Sequence, residues 1–148
     1  MKITDHFHVQ ELVHPEYIEQ YGREKMIKVM RDYGYATPML EGIEQLRSFL
    51  GDESIIINDW KFGGGRVDSG LRWRGISLGS PLSGHMWMLS TDSKHKDRNI
   101  KDIQEDILNS QTLHPHIVRM EDYRDTPTWL HIQWGYRPKN KSIQIFRP

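Results

Sequence analysis

The segment Thr128-Trp129-Leu130-His131-Ile132-Gln133-Trp134 decides which fold the sequence favours, because it alternates between apolar and more polar side chains. Alternation among aromatic and branched residues predicts a short β-strand. Successive side chains of a strand point to opposite faces, so the three even-numbered apolar residues after Thr128 share a core face, and His131 shares the other face with Trp129 and Gln133. A histidine that projects from a rigid strand can bind a ligand, although a surface histidine without a role is the simpler alternative.

A second pair of candidate ligands lies upstream, where His85 precedes Asp92 by seven residues. Donor atoms that share a zinc ion must lie about 2 Å from it. Seven residues of helix separate two Cα atoms by about 10 Å, and an odd spacing along a straight strand points two side chains to opposite faces. The chain must therefore bend between them, and we expect His85 on a loop that leads into a strand through Met88, Ser90 and Asp92.

Together with His131, this pair supplies two imidazoles and one carboxylate. Three protein ligands with a fourth position open are typical of a catalytic zinc site, whereas a structural site is closed by four protein ligands. The spacing alone is weak evidence, because the chain has eight histidines and a His/Asp pair is easily found by chance.

The stretch 83–92 resembles the Ser-x-His-x-x-Gly-x-Ala-x-Asp signature of the zinc D-Ala-D-Ala peptidase superfamily. That superfamily includes the D-Ala-D-Ala carboxypeptidases and dipeptidases, the phage L-alanyl-D-glutamate endolysins and the Hedgehog signalling domain. The stretch 129–131 resembles its Trp-x-His motif. Three further stretches, 56–60, 69–72 and 126–131, resemble the short phage and prophage branch of the superfamily.

The resemblance implies roles for five residues. By this likeness His85, Asp92 and His131 bind Zn²⁺, while Ser83 and Arg72 hold a substrate carboxylate or polarise the scissile carbonyl. The implied activity is zinc-dependent hydrolysis of peptidoglycan stem peptides or peptide crosslinks by a phage-encoded or prophage-encoded enzyme.

Four departures from the family pattern keep an alternative open. Met88 and Ser90 stand where the signature has Gly and Ala, whose small size leaves space beside the metal. Gln133 stands where the phage branch often has Asp, and Thr128 stands where several members carry an acidic base. The alternative is a catalytically impaired virion protein of the tail or baseplate that keeps the fold and binds other virion proteins.

A zinc peptidase also needs a group that takes a proton from the attacking water. Asp125, six residues before His131 and across a proline-stiffened turn, is the first candidate. Glu121, at the end of the preceding predicted strand, is the second candidate. For either residue alone, a solvated carboxylate is the more common situation.

Substrate contacts are expected from a glycine-rich loop, 60–83, that carries Arg66 and Arg72. Loops of such length inside a compact domain usually have a function, although a mobile surface loop is the alternative. A guanidinium there would stabilise the oxyanion or bind a terminal carboxylate. Trp129 could wall the groove, although tryptophan more often packs in a core.

Composition limits the remaining classes of function. The chain has 148 residues, enough for one domain, and it contains no cysteine. Its 20 basic and 20 acidic residues balance, which gives no electrostatic reason to bind nucleic acid or an anionic membrane. Neither an apolar signal region nor a membrane-length apolar run is present. We therefore expect the protein in the host cytoplasm or the virion, acting at the cell wall.

The order of the predicted elements indicates an α+β fold of the Hedgehog/D-Ala-D-Ala peptidase kind, with helices packed on a small, mainly antiparallel sheet in a single domain, 1–148. The predicted helices span 23–33, 38–50 and 99–109, and the predicted strands span 54–58, 116–121, 128–134 and 142–146.

Overall fold

Four helices precede the first strand and three strands come last within residues 1–72 and 83–148, which are the residues that the computed structural model describes. The helices are α1 (Val9–Leu12), α2 (Pro15–Tyr21), α3 (Arg23–Ile27), α4 (Thr37–Phe49) and α5 (Ile100–Asn109). The strands are β1 (Ile55–Ile56), β2 (Ser90–His95), β3 (Ile117–Glu121), β4 (Leu130–Trp134) and β5 (Gln144–Phe146). The α+β class is confirmed.

The five strands form one sheet in the order β1-β2-β4-β3-β5, with β4 at its centre. Neighbouring strands are antiparallel except β3 and β5, which run parallel, so the sheet is mixed. Along β4 the residues Leu130, Ile132 and Trp134 are at most 2% exposed. The alternation predicted from the sequence is therefore confirmed, and His131 lies on the face opposite this core.

Helix α4 packs against the core face of β4 through a close approach at Gly42. A Cβ atom at Gly42 would lie 2.4 Å from the ring of Trp134, so the helix could not approach the strand as closely with any larger residue. The Trp134 indole then donates a hydrogen bond of 2.9 Å to the hydroxyl of Thr91 in β2. The buried apolar residues of α4 are Met39, Leu40, Ile43 and Leu46.

Several predicted helix features differ from the structure. The helix predicted over 38–50 begins one residue earlier, at Thr37, and its N-cap residue, Ala36, has no side-chain oxygen that could accept a hydrogen bond. The helix predicted over 23–33 changes to a π-helical turn at Lys28–Asp32, and Tyr33 is exposed. By contrast, α5 begins as predicted, with the Asn99 side chain accepting a hydrogen bond from the N–H of Asp102.

The strand predicted over 54–58 is shorter than expected, and its three isoleucines are not all buried. Only Ile55 and Ile56 pair with β2, and Ile56 is exposed at this edge of the sheet, whereas Ile57 is buried. Residues 73–82 of the predicted glycine-rich loop lie outside the described residues. No helix in the described part of the chain is long and apolar enough to cross a membrane.

The last residue of β2, His95, is a partly buried histidine with an altered pKa. Its Nε2 lies 3.0 Å from the Ser93 hydroxyl, and its Nδ1 is buried without a hydrogen-bond partner among the described residues. Burial, supported by the charge of Arg98, lowers the pKa of His95 to about 4. The neutral imidazole is therefore the form that the fold accommodates.

We predict that His95 makes the fold sensitive to acid. Because its folded pKa of about 4 lies below the unfolded value of about 6.5, the unfolded chain gains the proton first and stability falls as the pH drops through that window. The loss should be on the order of 3 kcal/mol, measured by urea unfolding at pH 7 and pH 4. His95→Gln should reduce it, and Lys94→Gln, at an exposed neighbour, should not. An unchanged loss in His95→Gln would contradict the prediction.

Candidate metal centre

Three side chains from distant parts of the sequence meet on the face of the sheet opposite the core. His85, Asp92 and His131 each offer one ligand atom, and these atoms lie within 4.8 Å of one another. In the antiparallel pair β2 and β4, Asp92 lies directly opposite His131, so their side chains project from the same face. The Nδ1 of His131 lies 2.6 Å from Oδ1 of Asp92. The three predicted ligands thus form a group that can hold a metal ion.

The bend that the sequence required between His85 and Asp92 is a 3₁₀ turn, Gly84–Trp87, followed by Met88 in the left-handed conformation with φ of 60°. Ser83 begins the turn, and its hydroxyl accepts a hydrogen bond from the His85 N–H at 3.4 Å. This brings the two imidazole ring centroids within 5.2 Å of each other. Met88 therefore lies outside the strand in which we had expected it.

Met88 and Ser90 differ from the expectation that they crowd the metal. The Met88 side chain packs against the hydrophobic core. Ser90 is buried beneath the turn, where a Cβ at Gly84 would lie 2.0 Å from its Oγ. Only glycine fits at position 84, and neither Met88 nor Ser90 is a member of the metal-binding group.

The hydrogen bonding of His85 determines which of its nitrogens can bind a metal. Its Nδ1 lies 2.9 Å from the Gly70 carbonyl oxygen, which can only accept, so Nδ1 carries the hydrogen. Its Nε2 is buried 3.4 Å from Oδ2 of Asp92 and makes no hydrogen bond within the described residues. In the neutral imidazole this nitrogen presents a lone pair to a carboxylate oxygen. The lone pair and the carboxylate oxygen repel each other, and a cation between them would remove this repulsion. The residues therefore fit a metal ion.

Gly70 holds this arrangement through its backbone. A Cβ there would lie 2.2 Å from the Leu12 carbonyl oxygen, so no other residue allows this approach. The next residue, Leu71, donates a backbone hydrogen bond of 2.7 Å to Leu12, and Ser69 accepts one of 2.7 Å from Asp92. Sequence reasoning singled out 69–72 only through a resemblance. The backbone contacts of this segment could not be predicted from residue types.

Arg72, which the resemblance assigns to substrate, binds a predicted metal ligand within the protein, and its contact with substrate stays a prediction. Its Nη2 lies 3.1 Å from Oδ2 of Asp92, and its Nε donates a 2.7 Å hydrogen bond to the Asp68 carbonyl. Its backbone N–H donates to the His85 carbonyl at 3.1 Å. Arg72 therefore joins both upstream ligands and orients the Asp92 carboxylate.

Arg66 is also bound within the protein. Its Nε donates to the Ile57 carbonyl at 3.0 Å, and its Nη2 donates to the Ser69 hydroxyl at 2.8 Å and to the Asp92 carbonyl at 3.1 Å. These hydrogen bonds brace the backbone of β2, and a contact of this guanidinium with substrate stays a prediction.

Asp92 is ionised at neutral pH. Its burial favours the neutral acid, but the hydrogen bond from His131 and the further interactions with His85 and His131 together outweigh this effect and hold the pKa of Asp92 well below its ordinary value. Arg72 lies on the second oxygen of the same carboxylate. A permanently charged carboxylate between two imidazoles is the state that a divalent cation requires.

The two candidate bases lie in different environments. Arg119 pairs with Gln133 and Met120 pairs with Ile132, so the next step of this ladder places Glu121 beside His131. Burial raises the pKa of Glu121, and the nearby imidazole of His131 partly offsets the increase. Glu121 therefore shares the sheet face of the ligands and is the more basic of the two carboxylates.

Asp125, the first candidate from the sequence, is held in an ion pair. Both of its oxygens accept hydrogen bonds of 2.7 Å from Arg147, and these bonds lower the pKa of Asp125. Trp129 lies just before β4 and is partly exposed, so its place as a groove wall stays a prediction. The environments of the two carboxylates favour Glu121, whereas the sequence placed Asp125 first, and the identity of the base stays a prediction.

A bulge in β3 explains a further difference from the expected alternation. The register with β4 shifts between Ile117 and Arg119. Ile117 is buried, whereas Arg119 is exposed, so they do not share a face as strict alternation had suggested. Arg119 and Phe146 lie on the His131 side, and sequence reasoning missed both as site residues.

We predict that the site binds one divalent metal ion per chain. Elemental analysis of protein loaded with Zn²⁺ should give about one equivalent, and Asp92→Ala or His131→Ala should remove it. His6→Ala, at an exposed histidine, serves as the control. A His85→Ala, Asp92→Ala, His131→Ala triple variant that keeps zinc as well as the unchanged protein would place the site elsewhere.

We predict that Arg72→Ala weakens metal binding, because groups that orient a ligand typically contribute about 10–100-fold to metal affinity. Arg72→Lys should restore little, since one ammonium cannot replace the guanidinium that joins Asp68 to Asp92. Competition titration with a chelating dye measures the affinity, and Arg124→Ala, at an exposed arginine, is the control. Unchanged affinity in Arg72→Ala combined with impaired hydrolysis would restore the substrate role.

No family model, no curated protein and no solved structure matches this chain. The case for a function therefore depends on the chain's own side chains.

Proposed function

We propose that the protein is a zinc-dependent peptidase that hydrolyses stem peptides or peptide crosslinks of peptidoglycan, encoded by a phage or prophage. The observation that carries the proposal is the buried Nε2 of His85, which faces Asp92 without a hydrogen-bond partner among the described residues. A lone pair in that position costs stability unless a cation binds it. Glu121 on the same sheet face supplies the carboxylate that hydrolysis needs.

The choice of zinc follows from the donor atoms. Two imidazole nitrogens and one carboxylate oxygen, without a thiolate, match the ligand sets of catalytic zinc sites. Harder cations such as Mg²⁺ and Ca²⁺ favour sites made mostly of oxygen. Three ligands leave room for water and substrate. This argument rests on the chemistry of His85, Asp92 and His131 rather than on the resemblance.

The proposed ligands and Glu121 have different roles in hydrolysis. His85, Asp92 and His131 would hold the zinc ion, which would supply Lewis acidity for the scissile carbonyl and the attacking water. Glu121 accepts a proton from the attacking water and returns it to the leaving amine. Asp92 stays ionised throughout, because the hydrogen bond from His131 and the ion pair with Arg72 stabilise its charge.

The substrate class depends on the motifs. The stretches 83–92 and 129–131 carry the resemblance to enzymes that act on wall peptides, and the geometry adds that the ligands of both stretches meet. The residues of 69–72, a third matched stretch, hold His85 and Asp92 in place. Three matched stretches with one shared spatial role support the proposal more than any one of them does.

A metal-binding virion component without catalysis is the second candidate. It is favoured by the positions of Arg66 and Arg72, since both guanidiniums expected to contact substrate are bound to the backbone or to Asp92. Such a protein would use the metal to stabilise its fold and would present its surface to other virion proteins.

We predict that Glu121→Gln lowers turnover of wall peptides by about 10²–10⁴-fold, the usual contribution of a general base, while metal content stays unchanged. Asp125→Asn should keep most activity, because it breaks only the ion pair with Arg147. The measurement is hydrolysis of purified peptidoglycan, and of Ala-Glu and D-Ala-D-Ala peptides, by zinc-loaded protein.

Two outcomes would overturn parts of this proposal. Full activity in Glu121→Gln with loss in Asp125→Asn would exchange the two roles. If zinc-loaded protein cleaves none of these substrates, the result favours the virion component, because that candidate binds zinc without hydrolysing peptides.

A further inference from the structure

Beyond Glu121, the sheet face that carries the metal-binding group presents a guanidinium at Arg119. Its Nε donates a hydrogen bond to Oε1 of Gln133, its partner across the strands. Its Cζ lies 5.0 Å from the ring centroid of Phe146. The same ring lies edge-on to His131, with 5.8 Å between centroids. The ring of Phe146 thus lies between the guanidinium of Arg119 and His131, a predicted metal ligand.

Arg119 differs from the other arginines near the site. The guanidinium of Arg66 is bound to backbone carbonyls and a hydroxyl, and that of Arg72 is bound to Asp92 and a carbonyl. The Nη nitrogens of Arg119 make no hydrogen bond or ion pair within the part of the chain that the structure describes, so they can still donate. Its orientation is nevertheless fixed, because Gln133 holds Nε and Phe146 packs on the plane.

A guanidinium fixed in orientation with free donors is suited to bind a carboxylate through two parallel hydrogen bonds. Arg119 and Glu121 are two residues apart on β3, and a strand advances about 3.3 Å per residue. An extended substrate advances by about the same amount per residue. A peptide that lies along β3 with its scissile bond at Glu121 therefore brings a group about two residues away to Arg119.

We infer that Arg119 determines specificity by binding a free carboxylate of the peptide about two residues from the scissile bond, an inference that rests on the proposed peptidase function. The carboxylate can come from an acidic side chain or from the C-terminus of the peptide, since both present the same pair of oxygens. Cleavage is accordingly faster for peptides that carry a carboxylate at this position than for their amidated forms.

The test compares three peptides that share one Ala-Glu or D-Ala-D-Ala scissile bond. The first peptide has a glutamate two residues from the scissile bond and an amidated C-terminus. The second has its free C-terminal carboxylate at that position. The third has carboxamides in place of both carboxylates. Zinc-loaded protein should cleave one of the first two with a kcat/KM about 10–100-fold above the third, the contribution of a charge-assisted hydrogen bond. Whichever of the two is favoured identifies the source of the carboxylate.

Arg119→Gln should remove this preference by raising KM for the carboxylate peptide towards that of the amidated peptide. Arg119→Lys should keep part of it, since the charge remains while the paired geometry is lost. Arg98→Gln, at an arginine paired with Asp106 on another element, is the matched control. An equal preference in Arg119→Gln and the unchanged protein overturns the inference, as does the absence of any preference in the unchanged protein.

Failure of the peptidase proposal gives a different result. If zinc-loaded protein cleaves none of the three peptides, calorimetric titration with the same peptides decides the role of Arg119. Tighter binding of a carboxylate peptide than of the amidated peptide, lost in Arg119→Gln, supports the carboxylate site without catalysis. Equal affinities, or a preference that persists in Arg119→Gln, overturn it.

Discussion

The site depends first on the register of β2 against β4, which sets Asp92 opposite His131. Because side chains alternate along a strand, a slip of one residue would turn His131 into the core and expose Ile132. Burial of the apolar face of β4 makes that slip costly. The approach of α4 at Gly42, which places the helix directly on Trp134, fixes the same register from the core side. Core packing and ligand geometry are therefore two consequences of one strand pairing.

The third ligand is held by a different kind of constraint. His85 lies on a short 3₁₀ turn, which has little stability of its own, and its position is set by contacts with 69–72. The Gly70 carbonyl fixes the ring, and Arg72 binds the carboxylate that the ring faces. The Nδ1 of His85 is thus bound, whereas its Nε2 is buried without a hydrogen-bond partner among the described residues. In the neutral imidazole, Nε2 of His85 is an acceptor that faces the Asp92 carboxylate, which is a second acceptor. A cation between the two would satisfy both.

The sequence predicted the features that depend on local pattern. The faces of β4 and the extent of α5 follow from periodicity and residue type, and the three predicted ligands followed from their donor chemistry together with a resemblance. Features that depend on contacts between distant segments were missed. The parallel pairing of β5, the bulge in β3 and the partners of Arg66 are decided by tertiary packing. An arginine in a glycine-rich loop looks free in the sequence because its carbonyl acceptors are not encoded by residue type.

Met88 shows why a departure from a signature need not remove a site. A glycine adopts φ of +60° freely, whereas another residue there costs roughly 1–2 kcal/mol. Met88 accepts this conformation, and its side chain packs against the hydrophobic core, which offsets part of that cost. The turn therefore still delivers His85 to Asp92. At position 88 the backbone conformation matters more than space beside the predicted ligands, so a methionine there costs stability and leaves their geometry intact.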